Sequence, residues 1–290
     1  MIPGKKPEWL RKKIDYISMR EMGNMLRNLK LHTVCEEAKC PNSGECFRNK
    51  TATFMILGDV CTRNCKFCAI SKGKPTKVDI LEPKNIAEAA KSLNLKHVVI
   101  TSVTRDDLSD GGATHFANCI LELRQTLPDS SIEVLIPDLK GNENSLDIII
   151  NAKPDIINHN VETIKTLYPQ VRALANYQQS LNILKYIKKR NSGIYTKTGI
   201  MVGIGETETE VLELFDDLIA VNCDMITIGQ YLPPSHNHAT LKEYVKPETF
   251  NFYKKTALEK GFKFVASGPY VRSSYNAIEG IINIKENIGY

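Results

Sequence analysis

Six of the eight cysteines fall into two closely spaced triplets, and this spacing constrains the chain more than any other feature. The triplets read Cys35-x4-Cys40-x5-Cys46 and Cys61-x3-Cys65-x2-Cys68. Structural zinc sites usually close with four ligands, often from paired C-x2-C knuckles, and neither triplet has that layout. Three thiolates instead suit a [4Fe–4S] cube in which one iron is left open.

The open iron is the chemically important position. A small molecule can bind it through an amino and a carboxylate group, and the reduced cluster can then pass one electron into an adjacent sulfonium. Cleavage of that carbon–sulfur bond yields a 5′-deoxyadenosyl radical, which abstracts hydrogen from unactivated carbon. The protein contributes placement and exclusion of water, whereas the cofactor supplies the difficult step.

Composition narrows the class of protein. A chain of 290 residues suffices for one large domain or two small ones. The net charge of +5 fits either plain solubility or attraction to an acidic partner. We find no basic tract with interleaved aromatics that would suggest nucleic-acid binding, and no apolar run long enough to cross a membrane. Because no apolar signal core follows Met1, we expect a cytoplasmic protein whose cysteines are metal ligands or core residues.

Strand-like and helical stretches alternate from residue 51 onward. The predicted strands are 52–57, 97–102, 132–136, 155–158, 195–202 and 225–229. The predicted helices are 83–93, 113–127, 144–151, 177–189, 206–221 and 246–260, followed by a strand-like run at 262–266. This repetition predicts an α/β fold, a partial (β/α)6 TIM-like barrel, although a doubly wound sheet remains possible from the pattern alone.

We predict three segments along the chain. Residues 1–50 are basic and cysteine-rich without a sustained period, and we interpret them as an N-terminal extension ordered by metal. Residues 51–266 form the barrel, and residues 267–290 form a C-terminal tail. Functional loops of such barrels follow the strands, so we expect the extension and the tail to close over that rim.

Several stretches carry a resemblance to a known family. The second triplet, with the aromatic Phe67 before its last cysteine, resembles the C-x3-C-x2-C signature of radical SAM enzymes. The first triplet, placed shortly before it, is similar to that of lipoyl synthases in particular. Other stretches matching that family are 6–11 (KPEWLR), 105–112 (RDDLSDGG), 158–163 (NHNVET), 229–232 (GQYL) and 268–277 (GPYVRSSYNA).

The resemblance implies a ligand set for two [4Fe–4S] clusters. The cluster that cleaves S-adenosylmethionine (SAM) would be held by Cys61, Cys65 and Cys68. The auxiliary cluster would be held by Cys35, Cys40, Cys46 and a serine of the R-S-S-Y motif. The candidates for that serine are Ser273 and Ser274. We favour Ser274, because the motif's second serine has this role in the family that the chain resembles.

The resemblance also implies a reaction and partners. The substrate would be an octanoyl chain on a lysine of a lipoyl carrier domain, from a 2-oxoacid dehydrogenase E2 subunit or the glycine cleavage H protein. Two sulfur atoms would enter at C6 and C8, drawn from the auxiliary cluster, and each C–H bond broken would consume one SAM. A low-potential donor such as ferredoxin or flavodoxin would supply electrons.

Six further residues are candidates for contact with SAM, each with a structural alternative. Thr101, Arg105 and Asp106 follow the second predicted strand and could bind SAM or cap the next helix. Gly203 and Glu206 could line a backbone approach to SAM or form a tight turn before a helix, where Thr207 and Glu210 fit a capping box. Arg172 could pair with the SAM carboxylate or lie on the surface.

Other conspicuous residues have simpler interpretations. Cys119 and Cys223 lie in helical and strand-like contexts, and we predict both as core thiols. We expect His159 to line the site, and we interpret His236 and His238 as part of a substrate-covering loop rather than a zinc site.

Three alternatives remain open at this point. The chain could be another sulfur-inserting enzyme, of the biotin synthase or thiomethylase type. It could be an electron-transfer protein whose clusters relay charge, although a relay protein normally closes all four positions with cysteine. It could also be a zinc-stabilised binding module.

Overall fold

A computed structural model describes residues 5–11, 15–29, 31–37, 40, 42–48 and 53–274. The chain forms two compact units. The N-terminal unit comprises Lys13–Asn64 and Ala69–Ile157, and the C-terminal unit comprises Met1–Lys12, Cys65–Cys68 and Asn158–Tyr290. Residues 275–277 of the matched tail motif lie outside the described residues.

The N-terminal unit contains most of the strands. Its helices are α1 (Tyr16–Asn28), α2 (Val34–Glu37), α3 (Ser43–Arg48), α4 (Glu82–Ser92), α5 (Ala113–Thr126) and α6 (Glu143–Asn151), with a 3-10 turn at Leu139–Gly141. Its strands are β1 (His32–Thr33), β2 (Thr53–Ile56), β3 (Val60–Cys61), β4 (Ser71–Lys72), β5 (His97–Ser102), β6 (Ser131–Leu135) and β7 (Ile156–Asn158), whose last residue belongs to the C-terminal unit.

The C-terminal unit continues the alternation of strands and helices. Its helices are α7 (Tyr168–Val171), α8 (Tyr177–Arg190), α9 (Glu208–Ala220) and α10 (Pro247–Lys260), with 3-10 turns at Glu8–Leu10 and Lys165–Leu167. Its strands are β8 (Tyr195–Val202), β9 (Met225–Gln230) and β10 (Phe264–Gly268).

Parallel pairing brings the ends of the strands together within each unit. The N-terminal order is β1-β2-β5-β6-β7, with β1 antiparallel to β2 and with β2, β5 and β6 parallel. In the C-terminal unit, β8, β9 and β10 are also parallel. The loops that follow β2, β5 and β6 therefore share one edge, as do the loops that follow β8, β9 and β10.

Apolar burial explains the strands and helices. Strand β9 is buried along its whole length, as expected for a parallel strand covered on both faces. Helix α9 buries Val211, Leu214, Phe215 and Leu218, which recur at helical spacing on one face. Cys119 and Cys223 are 0% and 3% exposed, which confirms the prediction that both are core thiols.

Most of the predicted boundaries hold within two residues, and the deviations have local causes. Strand β2 ends before Leu57 because Leu57 adopts a left-handed φ of 68°. Helix α9 begins at Glu208 because Thr207 is its N-cap, in the predicted capping box with Glu210.

The interpretation of residues 1–50 as lacking a period misses α1, a helix of 13 residues. Its apolar stripe is blurred because Tyr16 and Ile17 are 71% and 67% exposed, whereas Gly23 lies on the buried side without a side chain to mark it. The missing side chain of Gly23 gives room to Glu36, whose Oε1 would lie 2.9 Å from a Cβ there.

Candidate functional site

The first half of the second triplet is anchored in the N-terminal unit. Cys61 ends β3, which pairs with β4 so that Cys61 lies opposite Lys72. The Cys61 carbonyl accepts a hydrogen bond from the Gly73 amide at 3.1 Å, and its Sγ accepts one from the Arg63 amide at 3.4 Å. The Cys61 backbone is therefore held from outside the triplet, while an N–H group is directed at its sulfur.

Arg63, two residues after Cys61, fastens this loop to the ends of two strands. Its guanidinium donates to Asp106 at 2.7 and 2.8 Å and to Asp138 at 2.6 and 2.8 Å. Asp106 follows β5 and Asp138 follows β6. Burial acts to lower the pKa of Arg63, but these hydrogen bonds outweigh it and raise the pKa. Thr62 adds a hydrogen bond from its hydroxyl to the Thr104 carbonyl at 3.0 Å.

The second half of the triplet is anchored in the C-terminal unit. The Lys66 amide donates to the Val171 carbonyl at 2.9 Å, and the Lys66 carbonyl accepts from the Ala239 amide at 2.6 Å. The His238 ring contacts the Cys68 carbonyl at 3.1 Å. This contact places His238 beside Cys68, and its interpretation as part of a substrate-covering loop stays a prediction.

Phe67 has a packing role in the same unit. It lies against a buried apolar cluster made up of Val171, Ile204, Tyr231 and Leu241. The aromatic residue of the signature thus anchors the loop between Cys65 and Cys68 by apolar burial.

Two cysteines of the first triplet lie on short helices, and the third lies between those helices in sequence. Cys35 belongs to α2, Cys46 belongs to α3, and the Cys40 amide donates to the Cys35 carbonyl at 3.1 Å. Burial, followed by the charge of Cys40, raises the pKa of Cys35 to about 12; the Cys46 charge also raises it, whereas a backbone hydrogen bond from Thr53 lowers it. The three thiols are therefore close enough to interact electrostatically.

The donor sets fit clusters by their chemistry, because thiolates are the usual ligands of iron in a [4Fe–4S] cube and three of them leave one iron open. Among the residues that the structure describes, no group of three His, Cys, Asp or Glu side chains is placed to hold a single metal ion. A cation lies near the second triplet, since Arg172 interacts electrostatically with Cys65. Its positive charge would offset part of the negative charge of a thiolate-held cluster.

Arg172 is half-buried and makes several contacts with protein groups. It donates to the Asn160 carbonyl at 3.0 Å, and its guanidinium lies 5.8 Å from the centre of the Tyr168 ring. Burial acts to lower the pKa of Arg172, but interactions with Tyr168, Glu162 and Cys65 outweigh it and raise the pKa. These contacts hold the Arg172 guanidinium in place within the C-terminal unit, and its contact with SAM stays a prediction.

The candidates after β5 already have protein partners. Thr101 donates to the Leu135 carbonyl at 2.9 Å. Arg105 is 2% exposed and donates to the Asp107 carboxylate at 2.9 Å and to the Leu57 carbonyl at 3.0 Å. The hydrogen bonds from Arg63 lower the pKa of Asp106, although burial opposes them. Thr101, Arg105 and Asp106 therefore fasten this edge of the N-terminal unit, whatever else they contact.

Gly203 and Glu206 form a compact turn after β8. The Glu206 carboxylate accepts from the amides of Gly203, Ile204 and Gly205, the last two at 3.0 Å. Gly203 has a φ of +95°, and a Cβ there would collide with Gln230 and with the Glu243 carbonyl. Glycine is required at this position both for the conformation and for the space.

The tail crosses two glycines on neighbouring strands. A Cβ on Gly229 of β9 would collide with the Val271 carbonyl, and a Cβ on Gly199 of β8 would lie 2.8 Å from the Ser273 hydroxyl. The Ser273 hydroxyl accepts a hydrogen bond from the Asn160 amide group at 2.8 Å. The two glycines thus provide the surface on which residues 271–273 of the tail lie, a role that spacing along the chain did not reveal.

The residues of the N-H-N-V-E-T stretch (158–163) make different kinds of contact. His159 is fully buried, and its ring contacts the Ser180 hydroxyl at 3.1 Å, so its main role is in packing. Asn160 holds Ser273, while its own side-chain oxygen is buried without a hydrogen-bond partner. A buried acceptor left unpaired is a common feature of a site that receives a ligand.

Sequence reasoning did not single out Asp138 or Gly199, and it placed Asn160 and Gly229 only within stretches that match the family. Arg63 was visible between Cys61 and Cys65, but its partner Asp138 lies 75 residues further along the chain. Within the described residues, no helix is both long and apolar enough to cross a bilayer.

Comparison with known proteins identifies the family. A profile of the Radical SAM superfamily matches residues 55–218. The chain is 56% identical to the lipoyl synthase of Caldanaerobacter subterraneus subsp. tengcongensis, over 96% of this chain and 97% of the relative. It is 55% identical to the lipoyl synthase of Caldicellulosiruptor saccharolyticus, over 96% and 98%. A more distant relative, the lipoyl synthase of Neisseria meningitidis, is 53% identical over 95% and 84%.

Solved structures support the fold at low sequence identity. Methylornithine synthase matches with a TM-score of 0.57 at 16% identity, covering 82% of this chain and 81% of that one. HydG, a maturase of the [FeFe]-hydrogenase, matches with a TM-score of 0.57 at 14% identity, covering 94% and 72%. Together with the superfamily profile, these matches confirm the predicted α/β fold, a partial (β/α)6 barrel.

These findings remove the alternatives of an electron-relay protein and a zinc-stabilised module. SAM and [4Fe–4S] clusters are the cofactors, and the enzyme is a sulfurtransferase of lipoate biosynthesis that acts on a lipoyl-carrier substrate. The chain belongs to the lipoyl synthase family of the radical SAM superfamily.

Proposed function

We propose that the two cysteine triplets divide the reaction of the family between them in this chain. The triplet that holds the SAM-cleaving cluster is Cys61, Cys65 and Cys68. The triplet that holds the auxiliary cluster is Cys35, Cys40 and Cys46. The observation that carries the proposal is the spacing of two three-thiol sets, since each leaves one iron for a ligand other than cysteine.

The proposed clusters supply chemistry that no side chain can provide. When bound, one would furnish the electron that cleaves SAM, and the other would furnish the sulfur inserted at C6 and C8 of the octanoyl chain. The residues around them supply position. Arg63 holds the loop of Cys61 against Asp106 and Asp138, and Lys66 holds the loop of Cys65 and Cys68 by its backbone.

Among the residues proposed to contact SAM, Arg172 has the strongest support. It is a cation near Cys65, and a guanidinium can pair with a carboxylate through two hydrogen bonds. Gly203 would allow close approach of the backbone, and Glu206 would keep that turn in shape. We retain Phe67, Thr101, Arg105 and Asp106 in the proposal as residues that support the site through their protein contacts.

The fourth ligand of the auxiliary cluster is proposed to come from the serine pair of the tail. The resemblance favours Ser274. The hydrogen bond from Asn160 supports Ser273, because it holds that hydroxyl in one place beside β8. A serine oxygen is an unusual, labile ligand to iron, which suits a cluster that gives up its sulfur.

The proposal extends to partners and location. The acyl donor would be an octanoylated E2 or glycine cleavage H protein, and ferredoxin or flavodoxin would provide electrons. Nucleic acid and membrane have no part in the proposal. Thiolate-ligated clusters are best kept in a reducing compartment, so we place the enzyme in the cytoplasm.

The test is anaerobic incubation of the reconstituted protein with SAM, dithionite and an octanoyl-lysine peptide, followed by mass spectrometry. We expect 5′-deoxyadenosine together with a peptide that has gained sulfur. Cleavage of SAM without sulfur addition would refute the proposed substrate while leaving the cluster assignment in place.

The serine question needs a matched pair of variants. Ser273→Ala and Ser274→Ala differ by one position in the same tail. The variant that lacks the ligand is expected to lose sulfur insertion and to change the absorption of the auxiliary cluster, while it still cleaves SAM. The other variant should behave as wild type, and equal behaviour of the two would refute a serine ligand from this pair.

A further inference from the structure

The segment of residues 71–84, here called the lysine-rich loop, follows the second triplet and has no assigned role. Four lysines in it are exposed: Lys72, Lys74, Lys77 and Lys84. Its exposed acidic residue, Asp79, has its carboxylate 2.9 Å from the Leu81 amide, from which it accepts a hydrogen bond. The loop therefore presents a surplus of positive charge to solvent.

Large apolar side chains accompany this charge. Ile80 is 86% exposed and Leu81 is 58% exposed. These two adjacent aliphatic side chains offer apolar area that binding of a partner would bury, with the lysines as a charged rim around it.

One end of the loop is fixed beside a cluster cysteine. Lys72 lies opposite Cys61 in the pairing of β3 with β4, and the Gly73 amide donates to the Cys61 carbonyl at 3.1 Å. Thr76 lies close to Gly58, because a Cβ on that glycine would be 3.6 Å from the Thr76 hydroxyl. The loop thus passes near the end of β2.

The other end is fixed by a buried carboxylate. Glu82 is 5% exposed, and it accepts hydrogen bonds from the Leu57 amide at 2.9 Å and contacts the His115 ring at 2.7 Å. Both ends are therefore tied to the region in which β2 leads into the second triplet. An exposed charged surface on a fixed base is suited to docking, because little order has to be gained on binding.

We propose that the lysine-rich loop docks an acidic, octanoylated carrier domain beside Cys61. This inference rests on the proposed function, in which the acyl chain arrives attached to a folded protein rather than free. The lysines would steer a partner of opposite charge, and Ile80 and Leu81 would contribute apolar burial at the centre of the contact. The acyl-lysine arm of the carrier would then be delivered close to the cysteine loop.

The test compares two substrates on the same variants. The variants are Lys74→Glu with Lys77→Glu, and separately Ile80→Ser; Lys72 is left unchanged because it adjoins Cys61. The control is Lys254→Glu, which reverses an exposed lysine on α10. Each protein is assayed with an intact octanoylated carrier and with a short octanoyl-lysine peptide that lacks the folded surface of the carrier.

We expect the double charge reversal to raise the KM for the carrier by about tenfold, equivalent to about 1.4 kcal/mol. The peptide should be turned over as by wild type, and Lys254→Glu should change neither substrate. Added salt should weaken wild-type use of the carrier and have less effect on the double variant.

Three results would overturn the docking proposal. The first is an unchanged KM for the carrier, and the second is an equal loss with carrier and peptide, which would mean that the loop acts on the cluster. The third is that the loop variants lose only binding to phosphatidylglycerol vesicles, or only self-association, while their use of the carrier is unchanged. That result would assign the loop to a lipid surface or to a second copy of the chain. Failure of wild type to modify the peptide would instead refute the proposed function.

Discussion

The two cysteine triplets are held by opposite kinds of structure. The first has Cys35 on α2 and Cys46 on α3, with Cys40 between them in sequence, and its Cys35 is buried. The second lies in a loop with three partly exposed thiols, and its Cys61 half is fastened by Arg63 to carboxylates 43 and 75 residues away.

This difference suits the two proposed tasks. A loop that must present an open iron to SAM benefits from long-range ion pairs, because they hold the backbone while leaving the thiols accessible. A cluster that is taken apart for its sulfur can be carried on short local elements. Short elements of this kind can open at a lower cost in free energy than core strands.

Removing one thiol from either triplet should have the largest effect. Cys61→Ala is expected to abolish SAM cleavage and sulfur insertion, because the SAM-cleaving cluster loses a ligand. Cys35→Ala should abolish insertion but leave SAM cleavage intact. Iron and sulfide analysis with assays of 5′-deoxyadenosine and product separates the two, and loss of SAM cleavage in Cys35→Ala would contradict the division of labour.

Arg63→Met tests the long-range fastening of the second triplet. Removing one partner of a buried ion pair costs about 3–5 kcal/mol, since Asp138 is left buried and charged. We expect a lower free energy of unfolding in urea, together with weaker SAM cleavage and an unchanged auxiliary cluster.

Arg63→Lys provides the comparison for that variant. Lysine keeps the charge but cannot bridge two carboxylates with paired hydrogen bonds. An intermediate effect is expected, and a lysine variant equal to wild type would show that charge alone suffices.

Gly229→Ala tests the seat of the tail, which carries the proposed serine ligand of the first triplet. The new methyl group would collide with the Val271 carbonyl, and overpacking of this kind costs about 1–3 kcal/mol. We expect the tail to shift, sulfur insertion to fall and SAM cleavage to persist. Limited proteolysis should cut the tail more readily.

Gly268→Ala is the matched control, because Gly268 lies opposite Gly229 in the pairing of β10 with β9. A Cβ there would meet Val271 Cγ2 at 3.5 Å, an ordinary van der Waals distance. Equal loss of insertion in the two variants would mean that the close approach of the tail at Gly229 is unimportant.

The smallest expected effect is the pH dependence of stability that the ion pair between Arg63 and Asp106 contributes. Because the pKa of Asp106 is lowered in the folded protein by Arg63, its contribution to stability is present above its ordinary value of 3.8 and is lost as pH falls through the lowered pKa. The difference in unfolding free energy between wild type and Arg63→Met should therefore be constant near neutrality and shrink below about pH 4. Denaturation curves across pH 2–7 measure it, and a constant difference would contradict the assignment.

Much of the fold was predictable because its signals are local. The strands at 97–102 and 195–202 match β5 and β8 residue for residue, since buried β-branched runs mark parallel strands. The capping box at Thr207 was equally visible, because it needs only two residues three positions apart. Helix α1 escaped prediction because its exposed apolar residues obscure the period.

The candidate site likewise has features that were predictable from local sequence and features that were not. The predicted cysteine ligands follow from spacing within short segments, and that assignment stays a prediction. The partners that hold those segments could not be predicted, because Arg63 meets Asp138 only after β2, β5 and β6 have aligned their ends. Arg105 and Asp106 show the same limit, since nothing near them in sequence indicates that the Leu57 carbonyl and Arg63 are their partners.

Chain spacing alone therefore predicts which atoms are available to hold iron, because three thiols within a few residues can converge whatever surrounds them. Tertiary structure decides how firmly each cysteine triplet is held and where the C-terminal tail lies. The ion pairs to distant carboxylates and the contacts of the tail with its two glycines form only once parallel strands lie side by side. Each strand pairs with a neighbour that is remote along the chain.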